Sequence, residues 1–465
     1  MLNVLVVKIK IMIFKMKNPR SKEVFNIAWP VLTELLLGTL FGMIDMIMLG
    51  RIKDTAIAAA SVAAVGITNQ PLFIGLSLIQ ALNIGGTAIV ARYIGSKRLD
   101  KVENTIKHII LLSQVFFALP LSIIGLVFTK EIMAFIGAQS DTLLVGVNYF
   151  RAIMVGFIFQ SFNFSLSAVL RGAGDTKTPM KINLKANFIN VFGNAVLIYG
   201  LIGFPALGVT GAGISTAVSN MIATVLLCTK LLSGKCIIKF NIKSHFKFDK
   251  NIMYNLIKIG IPASLEQMAM RVGIMIFIKV VAGLGTLTFA AHQICLSILG
   301  LSFTPGQAFG ISAASLIGRS LGEGKPGKAD EYGKEARRIG SIISSIMAII
   351  LFIFGPQLVG LYTKDPEIIK MSSTALKIIA FVQPFQSSQL ILAGALRGAG
   401  DTIWPLVSTF IGVIGIRTIL AYIFVNKLGL GLSGAWIAVF VDQFIRWVLI
   451  YSRYRTGKWK YIKLR

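Results

Sequence analysis

Apolar residues in this chain arrive in long blocks, most of them near or above 20 residues, separated by short charged or Gly/Pro-containing breaks. A helix needs about 20 residues to cross the hydrocarbon core of a bilayer, and lipid offers no partner to a backbone N–H or C=O. Of the 465 residues 55% are hydrophobic and 14% charged, whereas a soluble domain carries about a quarter of its residues as charges. The pattern therefore predicts an all-α membrane protein and excludes a soluble enzyme core.

Twelve spans are expected, at approximately 25–49, 56–91, 105–129, 143–170, 179–201, 208–232, 252–282, 286–318, 335–362, 367–396, 405–426 and 431–453. The second and eighth are long, and Pro71 and Pro305 inside them are expected to bend them. The formal charge of +28 is carried mostly by short segments between spans, so it argues for membrane topology rather than nucleic-acid binding. Lys and Arg concentrate in the N-terminus, 92–104, 171–178, 233–251, 319–334, 397–404 and the tail, while the alternate connections are nearly neutral. The positive-inside rule then places both termini in the cytoplasm of a cell that carries the protein in its inner or plasma membrane. Residues 1–23 mix apolar runs with Lys8, Lys10, Lys15, Lys17, Arg20 and Lys22 and read as a basic cytosolic lead-in rather than a signal peptide. Cys228, Cys236 and Cys295 have no paired spacing, so neither disulfides nor a metal site is expected.

The chain repeats itself. Residues 159–179 read FQSFNFSLSAVLRGAGDTKTP and 385–405 read FQSSQLILAGALRGAGDTIWP, agreeing at 12 of 21 positions at an offset of 226. Pro30-x-x-x-Glu34 matches Pro262-x-x-x-Glu266, Arg92-x-x-Gly95 matches Arg319-x-x-Gly322, and Gly208-x-x-Gly211-Ala212 matches Gly431-x-x-Gly434-Ala435. Spans one to six thus recur as spans seven to twelve. Because six is even, both halves enter the membrane from the same side and form parallel repeats, as in transporters that rock two bundles about a site between them. The expected organisation is a basic N-terminal segment (1–23), an N-lobe (24–232), a cytosolic linker (233–251), a C-lobe (252–454) and a basic tail (455–465).

Ionisable groups inside such spans are costly and mark function by default. Glu34 and Asp45 on span one are 11 residues apart, about three helical turns, and so project within about 20° of one another. Asn187, Asn190 and Asn194 share a face of span five, where amides can coordinate a cation or bond a carboxylate. These five residues are the candidates for ion or proton coupling. Span seven carries Glu266, Gln267 and Arg271, with Arg271 projecting away from Glu266. Glu266 and Gln267, with Gln160, Gln386 and His292, are the candidates for a substrate cavity. Asp442 and Arg446 on span twelve are spaced to neutralise each other. The two RGAGDT segments lack the Lys and setting of a phosphate loop and read as helix C-caps with a loop Arg–Asp contact. No catalytic residue, metal site or cofactor beyond a coupling ion is expected.

These residues resemble a known family. The paired LRGAGDT-x-x-P segments, the D-x-x-M-x-G-R run from Asp45 to Arg51, the T-x-A-A-H-Q segment at 288–293 and the two-lobe twelve-span plan are similar to the multidrug and toxic compound extrusion (MATE) family, over residues of about 20 to 455. The resemblance implies two six-helix lobes around a central cavity, and a monomeric antiporter that exports amphiphilic or cationic drugs or metabolites in exchange for Na⁺ or H⁺. It also implies that Asp45 is the first-helix coupling acid and Asn190 the fifth-helix residue that supports it. The chain departs from branches with a fifth-helix Asp, since Asn194 stands there. It departs too from branches with a Glu deeper in the seventh helix, where Met270 stands. Two other classes remain open at this stage: a lipid-linked saccharide flippase of the same broad superfamily, and a membrane scaffold that transports nothing.

Overall fold

The computed structural model describes residues 18–234, Ile238, Phe240 and 246–464. Residues 1–17 of the N-terminal lead-in and nine of the nineteen linker residues, Cys236 among them, lie outside the described residues.

Among the described residues there are twelve long helices and no strand. They are α1 (Pro19–Gly50), α2 (Thr55–Gly95), α3 (Leu99–Val127), α4 (Ser140–Gly172), α5 (Lys177–Tyr199), α6 (Gly208–Leu232), α7 (Lys250–Ala282), α8 (Thr286–Gly322), α9 (Pro326–Gly360), α10 (Pro366–Ala399), α11 (Ile403–Lys427) and α12 (Gly431–Arg455). Ten are long and apolar enough to cross a membrane by length and composition, and the two that fall short are α5 and α7. Lys177, Lys181, Lys185 and the asparagines lower the hydropathy of α5, and Lys258, Glu266, Arg271 and Lys279 that of α7. Pro71 and Pro305 do not divide α2 and α8, which continue through them for 41 and 37 residues. Part of α3 (Leu111–Ala118) and two parts of α11 (Phe410–Arg417 and Ile423–Lys427) wind as π-helix.

The described residues form two compact units, one from residues 18–32 with Ala269–Lys463 and the other from Thr33–Met268 with Leu464. The division falls inside α1 and α7. Packing explains it. Val24, Phe25, Ile27 and Ala28 of α1 lie in one core with Phe309, Leu316, Ile339 and Leu396. Ile252, Leu256 and Ile259 of α7 lie in another with Leu82, Ile106, Leu166 and Leu227. Each boundary follows shortly after a repeat-matched proline, Pro30 or Pro262. A proline inside a helix has no N–H to give to the carbonyl four residues back, which loosens the ladder there.

The repeat is visible in the packing of each unit. A Cβ on Gly172 of α4 would lie 2.8 Å from the Thr87 carbonyl oxygen of α2. A Cβ on Gly398 of α10, the matched position, would collide with the Ala314 carbonyl oxygen of α8. Small residues permit this backbone approach where lipid gives no hydrophobic drive between helices. Both RGAGDT segments end their helices alike, with Gly174 and Gly400 at φ +89° and +88°. Asp175 and Asp401 then donate their backbone N–H to the carbonyls of Leu170 and Leu396.

The segment entering α7 is clamped to α3. His108 is fully buried; its Nδ1 lies 2.8 Å from the Asn104 carbonyl oxygen and its Nε2 accepts from the Asp249 N–H at 3.0 Å. Those partners assign the neutral tautomer with the proton on Nδ1. Phe246 and Phe248 pack on the ring at 4.9 and 5.5 Å between centroids, and Lys101 Nζ meets Asp249 Oδ2 at 2.6 Å. His108→Leu removes both hydrogen bonds while keeping the bulk, and is expected to cost about 1–3 kcal/mol, read as a lower melting temperature of the purified protein. The hydrogen bond from Lys101 holds the Asp249 carboxyl below the usual aspartate range. That contribution is complete above the unfolded value near 4 and is lost as pH falls through the lower folded value. The melting-temperature difference between the native chain and Lys101→Met should therefore shrink when the measurement moves from neutral to strongly acidic buffer.

Candidate functional site

The unit formed by 33–268 gathers three of the expected coupling residues. Asp45, half-buried on α1, accepts a hydrogen bond on Oδ1 from Asn194 Nδ2 of α5 at 2.7 Å. Asn190, one turn earlier on α5, is oriented by its neighbours. With its amide oxygen accepting from the Thr216 N–H and hydroxyl of α6 at 3.2 and 3.1 Å, its NH₂ stands 3.2 Å from both Asp45 oxygens. Ser215 Oγ donates to the Asn190 carbonyl at 2.8 Å, and the contact is tight because Gly193 leaves room for Ser215.

The Asp45 carboxylate makes no ion pair among the described residues. Its partners are neutral amides, which orient the carboxylate without balancing its charge. The Asn194 amide oxygen is buried and accepts nothing among the described residues, so a carboxylate and an uncommitted carbonyl oxygen occur on adjoining side chains. Such a group can take up a proton or a small cation. Asn187 is half-buried and Asn190 and Asn194 buried on the same helix.

Glu34 is placed differently from the expectation that grouped it with Asp45. Its Oε1 accepts from Arg171 Nη2 and from Asn183 Nδ2, each at 2.6 Å. The network continues: Asn163 Nδ2 donates to Asn183 Oδ1 at 2.9 Å and Ser167 Oγ to Asn163 Oδ1 at 3.1 Å. Arg171 therefore reaches Glu34 and not the loop Asp175, which accepts from the Thr178 N–H and hydroxyl instead. Asp401, the matched loop residue, pairs with Arg453 at 2.8 Å; burial in that loop raises its carboxyl above the usual range against the pull of Arg453. Sequence reasoning missed Asn183 and Arg171. Asn183 carried a signal, since 183, 187, 190 and 194 continue one stripe of α5 at alternating spacings of four and three.

The candidate cavity residues divide between the units. Gln160 and Gln267 are half-buried and Glu266 buried in the unit containing Asp45. In the other unit Gln386 is buried on α10. His292 is fully buried among the rings of Phe277, Phe289 and Trp436, at 5.6, 6.3 and 5.4 Å between centroids. Neither His292 nitrogen has a hydrogen-bond partner among the described residues; aromatic walls, not a polar cavity, surround it.

Asp442 and Arg446 of α12 do not neutralise each other. Asp442 Oδ2 accepts from Arg417 Nε of α11 at 2.9 Å and from Arg417 Nη2. Arg446 Nη2 donates to the Thr409 hydroxyl at 2.9 Å. Asp442 is fully buried, and removing one partner of a buried pair strands the other charge. Arg417→Met is expected to destabilise the protein by about 3–5 kcal/mol, and Arg417→Met with Asp442→Leu by much less, both measured by thermal unfolding in detergent.

Comparison with known proteins agrees with this layout. The MatE family model matches residues 30–196 and 262–423, one match in each half. The chain is 30% identical over 446 residues to the probable multidrug resistance protein NorM of Thermotoga maritima, covering 94% of this chain and 93% of that one. It is 29% identical over 447 residues to the uncharacterized transporter YisQ of Bacillus subtilis, covering 96% of each. In fold it matches a crystallised MATE in complex with MaL6, with TM-score 0.88 at 21% identity over 96% of this chain and 98% of that one. It also matches the outward-facing conformation of a multidrug resistance MATE family transporter of the MOP superfamily, with TM-score 0.86 at 21% identity over the same shares.

Proposed function

The chain belongs to the MatE family of multipass membrane efflux transporters, and from that premise we propose that it is a secondary antiporter exporting amphiphilic or cationic drugs or metabolites in exchange for Na⁺ or H⁺. One observation carries the reading: Asp45 is held on α1 by the neutral amides of Asn190 and Asn194, with no cation paired to it among the described residues.

An ionised carboxylate among apolar helices is stabilised when a proton or cation joins it. Loading Asp45 also weakens it as an acceptor for the two amides, so the packing of α1 against α5 differs between the loaded and empty forms. Two packings with different affinities for substrate and ion are what alternating access requires. Asn194 can supply an amide oxygen to a bound cation, and Asn190, tethered by Thr216 and Ser215, orients the carboxylate. Gln160 and Gln267, whose amides are half-buried in the same unit, are the proposed polar contacts for substrate. The basic connections support a plasma-membrane protein with both termini cytoplasmic.

The test is ethidium efflux from proteoliposomes under an imposed Na⁺ gradient and, separately, a pH gradient. One gradient is expected to drive efflux in the native chain. Asp45→Asn, which keeps the side-chain shape and cannot be ionised, is expected to lose coupled efflux at least tenfold while melting close to the native temperature. Full coupled efflux by Asp45→Asn would falsify the assignment.

A further inference from the structure

The proposed coupling site has a companion three turns away on the same two helices. Asn194 donates to Asp45 and Asn183 donates to Glu34, and both pairs have the same sequence separation, 149. Since 45 − 34 and 194 − 183 are both 11, the two carboxylate–amide bonds join α1 to α5 in a single parallel register. They sit about 16 Å apart along the helices at 1.5 Å per residue.

The two bonds differ in what balances the charge. Asp45 faces amides. Glu34 faces an amide and the guanidinium of Arg171, whose side chain, like that of Glu34, is largely enclosed, at 18% and 10% exposure. Asn183 is itself held from α4 through Asn163 and Ser167. The Glu34 end is therefore a charge-balanced knot of three helices. A proton or monovalent cation that neutralises Asp45 gains much less at Glu34, where the guanidinium already provides the opposite charge.

We infer that Glu34 is a positioning residue and not a second coupling carboxylate: with Arg171 and Asn183 it pins α1 to α5 so that the register of α1 brings Asp45 to Asn190 and Asn194. The inference rests on the proposed role of Asp45. The pin persists through the cycle while the Asp45 contacts change with loading, so α1 moves against α5 about its Glu34 end. A sliding or rotation of α1 that left the pin would carry Asp45 away from Asn194 at the same time, because both bonds depend on one register.

The experiment reads the ion concentration, Na⁺ or H⁺, that half-saturates ethidium efflux in proteoliposomes. Asn183→Ala cuts the α1–α5 link while leaving the Glu34–Arg171 ion pair, so the variant keeps its charge balance and its fold. Glu34→Gln keeps an acceptor for Asn183 and removes the charge. Each is expected to shift the half-saturating ion concentration at least threefold, with the KM for ethidium within twofold of native. A merely structural role would lower yield or melting temperature and leave half-saturation where it was. If Asp45→Asn abolishes coupled efflux and both variants retain native half-saturation, the pin is refuted and the proposed function stands. If Asp45→Asn keeps coupled efflux, the proposed function fails first.

Discussion

A carboxylate enclosed among apolar helices must be given a partner, and the partner it is given determines what it can do. This chain places two on α1 and treats them oppositely. Glu34 meets the Arg171 guanidinium at 2.6 Å, an opposite charge from another helix. Among the described residues Asp45 receives only amide N–H groups. Hydrogen bonds from neutral donors orient a carboxylate but leave its charge to be met from elsewhere, and that unmet charge is what the proposed ion coupling rests on.

The scaffold serves this arrangement by close, small-residue contacts. The matched contacts of Gly172 with Thr87 and Gly398 with Ala314 bring equivalent helices of each repeat to backbone contact. In the unit that holds Asp45, Gly193 lets Ser215 reach the Asn190 carbonyl. The two halves share this architecture and differ in chemistry. The first carries carboxylates facing amides on α1 and α5. The second buries Glu266 on α7, holds a bonded Arg417–Asp442 pair between α11 and α12, and encloses His292 in aromatic rings. A bonded pair and a ring-packed imidazole stabilise a fold more readily than they exchange an ion, in keeping with the proposal that places coupling at Asp45.

Much of the fold was legible in the sequence. Twelve helices, their order and the repeat follow from apolar blocks and matched motifs, because hydropathy and helix period are properties of a segment by itself. Asp45, Asn190 and Asn194 were legible for the same reason: polar residues on one helical face inside an apolar span require an explanation wherever their neighbours lie. The pairings of Glu34, Arg171, Asp442 and Arg446 were not. Glu34 was grouped with Asp45 on its own helix, and the others with the nearest charge along the chain, Asp175 for Arg171 and Arg446 for Asp442, whereas Glu34 meets Arg171 across 137 residues and Asp442 meets Arg417 across 25.

Sequence alone thus determined that the chain is a helical, twice-repeated membrane protein with an acidic first span, since burial in lipid leaves no other way to satisfy the backbone. Only the tertiary structure decided which carboxylate is charge-balanced and which is not, and where the compact units divide. Those outcomes depend on helix adjacency and register. A shift of one residue between α1 and α5 would separate both acids from their asparagines without altering the hydropathy of either helix.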